Sequence, residues 1–246
     1  MSIFVALLSL ASAGQLPYDL PRTCYAYDSQ TLSVCVSRLR NTDSGLDNID
    51  NLKIASAIQC NGSNACRIDL TGLKNTSRTI TIYGDSNSTT GFIRSPSTSY
   101  YNYAIVDVTS TAKVQLRDFY INDGIGNVNP LPSICPINIA GSTDILVDSI
   151  SISNSKFCGV ALVGANVIAL RNTTISNAAL FGVWMSNQYP SSDIRIENNT
   201  ITGSASNGIL YASLSGSITG NVLTNNHNTA MFCDPTTGIG YPGVNC

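Results

Sequence analysis

Short segments of alternating apolar and polar residues recur along the second half of the chain, separated by Asn, Gly and Ser. Similar phrases surround five aliphatic anchor residues, Ile121, Ile152, Ile175, Ile201 and Leu223. By their residue numbers the anchors lie 31, 23, 26 and 22 residues apart. A repeat of this length that is rich in β-branched residues and lacks helical periodicity predicts the coils of a parallel β-helix.

The positions around the anchors keep their character from one repeat to the next. Five residues before the anchors lie Leu116, Val147, Leu170, Ile196 and Ile218. Seven residues before them lie Val114, Ile145, Ile168, Ile194 and Gly216, and the position in between is mixed. This period of two indicates a strand with one buried face. Two residues after the anchors, Asp123, Asn154, Asn177, Gly203 and Asn225 predict a turn whose amides stack from coil to coil.

The repeats favour a solenoid over the other all-β folds. Gly159, Gly182 and Gly208 align ahead of a second buried strand in successive repeats. A β-sandwich or an antiparallel barrel would instead need hairpin turns between neighbouring strands. We therefore expect an all-β, single-stranded parallel β-helix of about seven to eight coils.

The rest of the chain is divided around this solenoid. Leu46, Ile49 and Leu52 lie at helical spacing and predict a helix that caps its open end. The expected division is a signal peptide over 1–13, a disulfide-bearing segment over 14–45, the capping helix over 46–60, the β-helix over 61–233 and a disulfide-closed tail over 234–246.

The first residues and the composition predict a secreted protein. An apolar run ends in Ala11-Ser12-Ala13, the small-residue pattern that precedes signal-peptide cleavage. Alternatively, this run forms a buried strand or helix. The run is too short to span a membrane. Only 11% of the residues are charged and the net charge is -2, which argues against a nucleic-acid partner.

Cysteines and glycosylation sequons agree with the secretory route. The predicted disulfides are Cys24–Cys35, Cys60–Cys66, Cys135–Cys158 and Cys233–Cys246, all between neighbours in sequence. Cys135 and Cys158 also occupy one column of neighbouring coils, where the spacing suits a disulfide. The candidate glycosylation sites are Asn61, Asn75, Asn87, Asn172 and Asn198.

Two groups of phrases carry a resemblance to a known family. They are the Asn-Asn-Thr-Ile-Thr-Gly and Gly-Ile-Leu phrases at 198–203 and 208–210, and the start of the solenoid at 57–70. The chain here resembles the right-handed parallel β-helix superfamily, the pectin-lyase-like fold. The resemblance implies right-handed coils in three sheets. It also implies a choice of roles, because members cleave or modify acidic polysaccharides, bind glycans or serve as structural components.

The catalytic motifs of two branches of this superfamily are not matched. Polygalacturonase-like members use clustered aspartates, a Gly-His-Gly and an Arg-x-Lys, whereas the only histidine here, His227, lies in an Asn-rich turn. No adjacent Asp pair is expected in the coils. For a calcium-dependent lyase, the candidates are Asp144, Asp148 and Asp193 with Arg171 or Arg195. Val167 separates Asp144 from Asp193 in their column, so no metal or other cofactor is predicted.

Two outward columns are predicted with different roles. One is a surface salt-bridge ladder of alternating sign, formed by Arg117, Asp148, Arg171 and Glu197. The other is an apolar stripe formed by Trp184, Leu210 and Phe232, with Ala161 beside it. Such a stripe predicts a binding or assembly surface, and the alternative is that a loop covers it.

These observations favour a secreted, non-catalytic glycoprotein, a structural or adhesive component of an extracellular coat, wall or filament. Its partners would be further copies of itself or other extracellular proteins, with polysaccharide as another candidate. One alternative is a lyase or glycoside hydrolase that acts on acidic polysaccharide. Another is a glycan-binding module that uses Trp184.

Overall fold

The computed structural model describes residues 22–40, 49–61, 65–73, 78–94, 103–124 and 135–233. The predicted signal peptide, the C-terminal tail and the sequon at Asn75 lie outside these residues. Within them the chain forms one helix, α1 (Ser29–Arg40), and a series of short strands. In chain order the strands are β1 (Thr23–Ala26), β2 (Asn51–Ile54), β3 (Ala57–Cys60), β4 (Ile68–Asp69), β5 (Ile80–Gly84), β6 (Gly91–Arg94), β7 (Val106–Thr109), β8 (Ala112–Arg117), β9 (Tyr120–Asn122), β10 (Ile137–Ala140), β11 (Thr143–Asp148), β12 (Ser151–Ser153), β13 (Cys158–Val163), β14 (Asn166–Arg171), β15 (Thr174–Ser176), β16 (Phe181–Met185), β17 (Ser192–Glu197), β18 (Thr200–Thr202), β19 (Ile209–Tyr211), β20 (Gly216–Thr219), β21 (Val222–Thr224) and β22 (Met231–Cys233).

The strands build three parallel sheets, and each coil contributes one strand to each sheet. Sheet A has the order β1-β2-β5-β8-β11-β14-β17-β20, sheet B runs from β3 to β21, and sheet C runs from β4 to β22. Sheets B and C each hold seven strands, so the described chain makes seven coils, with β1 added at the start of sheet A. The predicted parallel β-helix is confirmed.

Aliphatic columns fill the interior. In sheet B the anchors Ile121, Ile152, Ile175 and Ile201 are register partners in successive strands and are fully buried. Each inward residue therefore packs on its counterpart in the coils above and below. Removal of this apolar surface from water is the main favourable contribution to the fold.

The predicted capping helix over 46–60 is wrong. Residues 51–54 and 57–60 form β2 and β3, whose buried positions alternate as in other strands of the solenoid. The helix lies earlier, and its buried residues Leu32, Cys35, Val36 and Leu39 follow the helical i, i+3, i+4, i+7 pattern. It packs on the first strands of all three sheets and so covers the end of the solenoid.

Disulfides join neighbouring segments at three of the predicted places. The structure contains Cys24–Cys35, Cys60–Cys66 and Cys135–Cys158, with Cα–Cα distances of 5.6, 5.4 and 4.9 Å. These three pairings are confirmed. Cys233 is also disulfide-bonded, and its predicted partner Cys246 lies outside the described residues. No helix among the described segments is long and apolar enough to cross a membrane.

The backbone adopts a left-handed conformation at the same corner of successive coils, near the start of each strand of sheet A. The residues at this corner are Lys113, Asp144, Val167 and Asp193, with φ between 51° and 59°. Val167 is unfavourable there, because a β-branched side chain clashes with the backbone at positive φ. Its conformation is imposed by the strands on either side, which pair with both neighbouring coils.

Replacing Val167 with Asn should therefore stabilise the protein by about 1 kcal/mol, since Asn adopts positive φ at lower cost. Chemical denaturation of the wild type and of Val167→Asn measures the difference. Val163→Asn is the matched control, because Val163 is similarly half-buried in β13 but is not among the positive-φ residues. Equal effects of the two substitutions would contradict the backbone explanation.

Candidate active site

A single column of outward side chains runs the whole length of sheet C. Register pairing of β4, β7, β10, β13, β16, β19 and β22 aligns Asp69, Asp107, Asn138, Ala161, Trp184, Leu210 and Phe232. The column is acidic in the first two coils, then polar and small, and finally aromatic and apolar. We call it the sheet C column.

The acidic end of the sheet C column holds two aspartates in adjacent coils. Asp69 and Asp107 are direct register partners of parallel strands, which places them about 4.8 Å apart along the solenoid. Arg67 lies over both, with Nη2 3.4 Å from Oδ2 of Asp69 and 3.6 Å from Oδ2 of Asp107. One guanidinium thus bridges two carboxylates.

Asp69 receives several further contacts. Nη1 of Arg40, the last residue of α1, lies 2.9 Å from its Oδ2, and the backbone N–H of Thr71 donates to its Oδ1 at 2.9 Å. Burial acts to raise the pKa of Asp69, but the hydrogen bonds from Thr71 and the charges of Arg40 and Arg67 together hold it below its ordinary value. Asp69 is therefore a carboxylate at neutral pH.

Asp107 is held in place by neutral donors as well as by Arg67. The hydroxyl of Thr109 donates to its Oδ1 at 2.6 Å, and Nδ2 of Asn138 donates to the same oxygen at 3.1 Å. Asn138 belongs to the next coil, so three consecutive positions of the column are joined by hydrogen bonds and ion pairs. Asp69 and Asp107 keep 26% and 18% of their side-chain surface exposed, which leaves them reachable from solvent.

This geometry corrects the expectation that no Asp pair would be adjacent in the coils. Strands β5 and β6 lie between Asp69 and Asp107 in the chain, so the proximity of the two aspartates depends on the register of coils that precede the recognisable repeat. A signal was present nonetheless. Ile68-Asp69-Leu70 and Val106-Asp107-Val108 show the same inward-outward-inward alternation as residues 137–139 of the next coil.

The lyase candidates named from sequence do not assemble into a site. Asp144 and Asp193 are exposed at the corner with Val167 between them, and Asp148 instead pairs with Arg171 at 2.9 Å. Within the described residues no group of three or more His, Cys, Asp or Glu side chains could hold a metal ion. His227 is exposed in a turn.

The charged column of sheet A forms only part of the predicted ladder. Arg117, Asp148, Arg171 and Glu197 are register partners as expected. The ion pair recorded along this column is Asp148–Arg171, whereas Arg117 lies 3.9 Å from Asp118. Since Arg171 is nearly half exposed, this column contributes little to stability.

The apolar end of the sheet C column contains the stripe named from sequence. Trp184 and Leu210 are half-buried and Phe232 is 45% exposed. Trp184 packs with Phe157 and Phe181 over the Cys135–Cys158 disulfide, so the stripe is partly covered by residues of neighbouring turns. Exposed apolar surface still remains on this face.

The sequons differ in how much of the side chain is accessible. Asn61, Asn172 and Asn198 are exposed, and Asn87 is half-buried. Asn172 and Asn198 occupy the same turn in successive coils, as the repeat register predicted. Their glycosylation remains a prediction.

Comparison with known proteins identifies the fold and gives a functional context. A family model described as right-handed β-helix region matches residues 56–226. No curated protein sequence matches the chain.

Solved structures with similar folds include catalytic domains of polysaccharide-degrading enzymes. A GH87 α-1,3-glucanase catalytic domain in complex with tetrasaccharides has a TM-score of 0.63 and 17% identity, over 89% of this chain and 38% of that chain. The same enzyme domain in complex with nigerose has a TM-score of 0.58. An alginate lyase from Paenibacillus sp. strain FPU-7 has a TM-score of 0.51 and 16% identity, over 81% of this chain and 75% of that chain. The chain spans less than two-fifths of the glucanase domain.

These neighbours overturn the prediction of a non-catalytic structural component. They are carbohydrate-active enzymes, and their names point to the alternative of a polysaccharide-degrading enzyme. The sequence argument against catalysis rested on the unmatched catalytic motifs and on acidic residues that did not align in the recognisable repeat, and it did not include the Asp69–Asp107 pair of the first coils. At this level of identity the likeness itself shows the fold.

Proposed function

The chain belongs to the right-handed parallel β-helix family, and on that premise we propose that it is a polysaccharide-cleaving enzyme whose active site is the Asp69–Asp107 pair. The observation that carries the proposal is the placement of two carboxylates in adjacent coils on the outer face of sheet C. The neighbouring folds belong to enzymes that cleave a glucan or alginate, which favours the same general chemistry.

The spacing of the pair suits glycoside hydrolysis. Retaining glycosidases place two carboxyl groups about 5–5.5 Å apart. Outward side chains on adjacent parallel strands, whose backbones lie roughly 4.8 Å apart, can bring their carboxyl groups to that separation. One carboxylate attacks the anomeric carbon while the other, protonated, gives its proton to the leaving oxygen. Asp69 suits the first role, since its partners keep it ionised. Asp107 is then left for the acid role.

Arg67 would have to move when the substrate binds. In the free protein its guanidinium contacts both carboxylates. A sugar hydroxyl that takes the place of Arg67 beside Asp107, while Arg67 stays on Asp69, would bring the leaving oxygen of the substrate within reach of the Asp107 carboxyl group. Arg40 would remain on Asp69 and keep it ionised.

Replacing Asp107 with Asn should lower the rate of polysaccharide cleavage by at least about a hundredfold, because an amide cannot donate the required proton. Release of reducing ends, and of unsaturated ends at 235 nm, is measured on α-1,3-glucan, other neutral glucans, alginate and polygalacturonate. Asp193→Asn serves as the control, since Asp193 is an exposed acid on sheet A. All proteins are produced in the periplasm of a bacterium that adds no N-glycans, because Asp107→Asn and Asp69→Asn each create an Asn-x-Thr sequon. Circular dichroism confirms that the variants are folded.

The two halves of the pair can be separated by azide rescue. Asp69→Asn should also abolish cleavage, and in this variant azide should attack the anomeric carbon as the glycosidic oxygen leaves with the proton of Asp107. The product is a glycosyl azide, which has no reducing end at that carbon and is detected by mass spectrometry, whereas on a polysaccharide the variant that lacks the acid should form none. Cleavage that is unaffected by both substitutions would place the active site elsewhere. No cleavage of any substrate by the wild type would refute the enzymatic proposal.

Secretion and glycosylation are part of the same proposal. Disulfides are typical of proteins that fold in an oxidising compartment, and extracellular polysaccharides are substrates found there. Mass spectrometry of the protein from its natural source would identify the mature N-terminus and the occupied sequons.

A further inference from the structure

We infer that the substrate of the acid pair is an uncharged polysaccharide that lies along the sheet C column and stacks on an aromatic platform formed by Phe157, Phe181 and Trp184. This inference rests on the proposed function and adds the substrate class and a second contact region. The platform belongs to coils four and five, whereas Asp69 and Asp107 belong to coils one and two.

The platform is a packed aromatic unit. The ring centroid of Phe157 lies 5.7 Å from that of Phe181 and 5.7 Å from that of Trp184, and both pairs are edge-to-face. Beneath the rings, Ala161 and the Cys135–Cys158 disulfide form a buried floor. All three aromatic side chains are half-buried. Their positions are thus fixed before a ligand arrives, which limits the entropy lost on binding.

One accessible position of the column lies between the acid pair and the platform. It is Asn138, which has a short side chain, whereas the next position, Ala161, is buried beneath the platform. Asp107 and Trp184 lie three coils apart, a distance of about 14 Å along the solenoid. A sugar chain that reaches both therefore contains several units, and it can lie on this surface without meeting a large side chain in the column.

The charge along the column favours an uncharged chain. Beyond Asp107 the column contains Asn138, Ala161, Trp184, Leu210 and Phe232, none of which is ionisable. Arg40 and Arg67, the cations at the acidic end, already pair with the two aspartates. A polyuronate would place a carboxylate on every unit over this column, and the column residues beyond Asp107 supply no cation to pair with it. Burying such charges unpaired is costly, and the two aspartates would repel them.

The aromatic rings of the platform suit the apolar faces of an uncharged sugar. A pyranose has faces of C–H groups and a rim of hydroxyls, so its face can pack on an indole or phenyl ring while the rim stays hydrated. Aromatic side chains supply a large apolar contact at low conformational cost. Asn138 supplies a polar side chain beside the path for the hydroxyls.

Replacing Trp184 with Ala should weaken binding of an uncharged oligosaccharide about tenfold or more. Binding is measured by calorimetry in the Asp107→Asn background, so that cleavage does not consume the ligand. The probes are α-1,3-linked and β-1,4-linked gluco-oligosaccharides of two and six units, and oligouronates of the same lengths. Phe157→Ala is a second variant, because Trp184→Ala also removes contacts from the buried floor. The matched control is Tyr25→Ala, which removes an aromatic side chain 49% exposed on sheet A.

The expected result is that a neutral hexasaccharide binds more tightly than the disaccharide, and that either platform variant abolishes this advantage while Tyr25→Ala leaves it intact. Preferential binding of oligouronates would overturn the inference, as would hexasaccharide binding that is insensitive to both platform variants. If Asp107→Asn abolishes cleavage but the platform variants change neither binding nor KM, the proposed function stands and this inference fails. If the platform variants weaken binding but no polysaccharide is cleaved, the enzymatic proposal fails. The inference then fails as well, because the bound sugar is a ligand and not a substrate.

Discussion

Replacing Asp123 with Ala should destabilise the protein by about 3–5 kcal/mol, the expected cost of leaving a buried cation without its partner. Asp123 and Arg94 retain 2% and 1% of their side-chain surface, and Nη1 of Arg94 donates to Oδ1 of Asp123 at 2.7 Å. Arg94 also donates through Nη2 to the carbonyl of Tyr103 at 2.9 Å and lies over the Tyr103 ring. These contacts remain in the variant, but the charge is no longer balanced.

Removing the other partner should cost less, and the cost should depend on pH. Arginine cannot lose its proton in a protein, whereas Asp123 can gain one. Burial raises the pKa of Asp123 above its ordinary value, although Arg94 opposes this effect. In Arg94→Met that opposition is lost, and the folded-state pKa rises further.

The raised pKa of Asp123 determines whether a lower pH stabilises or destabilises the folded Arg94→Met variant. A carboxyl group whose pKa is higher in the folded state binds protons preferentially in that state, so lowering the pH favours folding. Arg94→Met should therefore gain stability relative to the wild type as the pH falls from the pKa of Asp123 in the variant to the lower pKa of Asp123 in the wild type. Asp123→Ala has no such group and should show no corresponding gain.

Urea denaturation at several pH values measures these differences. The control is Asp148→Ala, which breaks the surface pair with Arg171 and should cost about 1 kcal/mol or less at neutral pH. If Asp123→Ala were no more destabilising than Asp148→Ala, the buried pair would not have the structural role assigned to it.

Removing the Cys135–Cys158 disulfide is the second large effect. Replacing both cysteines with Ala should cost about 3 kcal/mol, because the bond closes a segment of 23 residues and restricts the unfolded chain. Both sulfur-bearing side chains are also fully buried beneath Phe157 and Trp184. The loss should thus loosen the aromatic platform as well as the fold.

The matched control is the Cys60–Cys66 disulfide, which closes only 6 residues. Its double Ala variant should cost about 2 kcal/mol, since the entropy lost by the unfolded chain grows with the length of the closed segment. Thermal unfolding followed by circular dichroism compares the two. In a functional assay, the Cys135/Cys158 variant should weaken hexasaccharide binding, whereas the Cys60/Cys66 variant should not. The reverse order in both assays would contradict the link between the disulfide and the platform.

The recognisable repeat allowed the register of five coils to be predicted. Ile121, Ile152, Ile175 and Ile201 align in the structure as they do in the sequence, because inward residues of a parallel β-helix must be apolar in every coil. The same register correctly paired Cys135 with Cys158. The stripe of Trp184, Leu210 and Phe232 also followed from it.

The first coils were harder to predict, because their strands are short and their turns differ in length. The apolar residues around Leu52 are spaced in a way that is compatible with both a helix and a strand. The segment forms a strand because it pairs with β1 and β5. The helix that does form has a periodic pattern from Leu32 to Leu39, which is short and lies within a segment that otherwise lacks regular periodicity.

The sequence by itself determined the solenoid, because every coil must place apolar residues at the same inward positions, and these positions recur at recognisable intervals along the chain. Only the tertiary structure decided where the acid pair lies and what surrounds it. Asp69 and Asp107 meet because two coils stack in a particular register, and Arg40 joins them because α1 packs over the end of the solenoid. Arg94 and Asp123 likewise meet at the ends of neighbouring strands of sheet B, where the register that pairs Phe92 with Ile121 brings two successive coils together. Asp69, Asp107 and Arg94 all precede the recognisable repeat, so their partners depend on how the first coils stack in the folded chain.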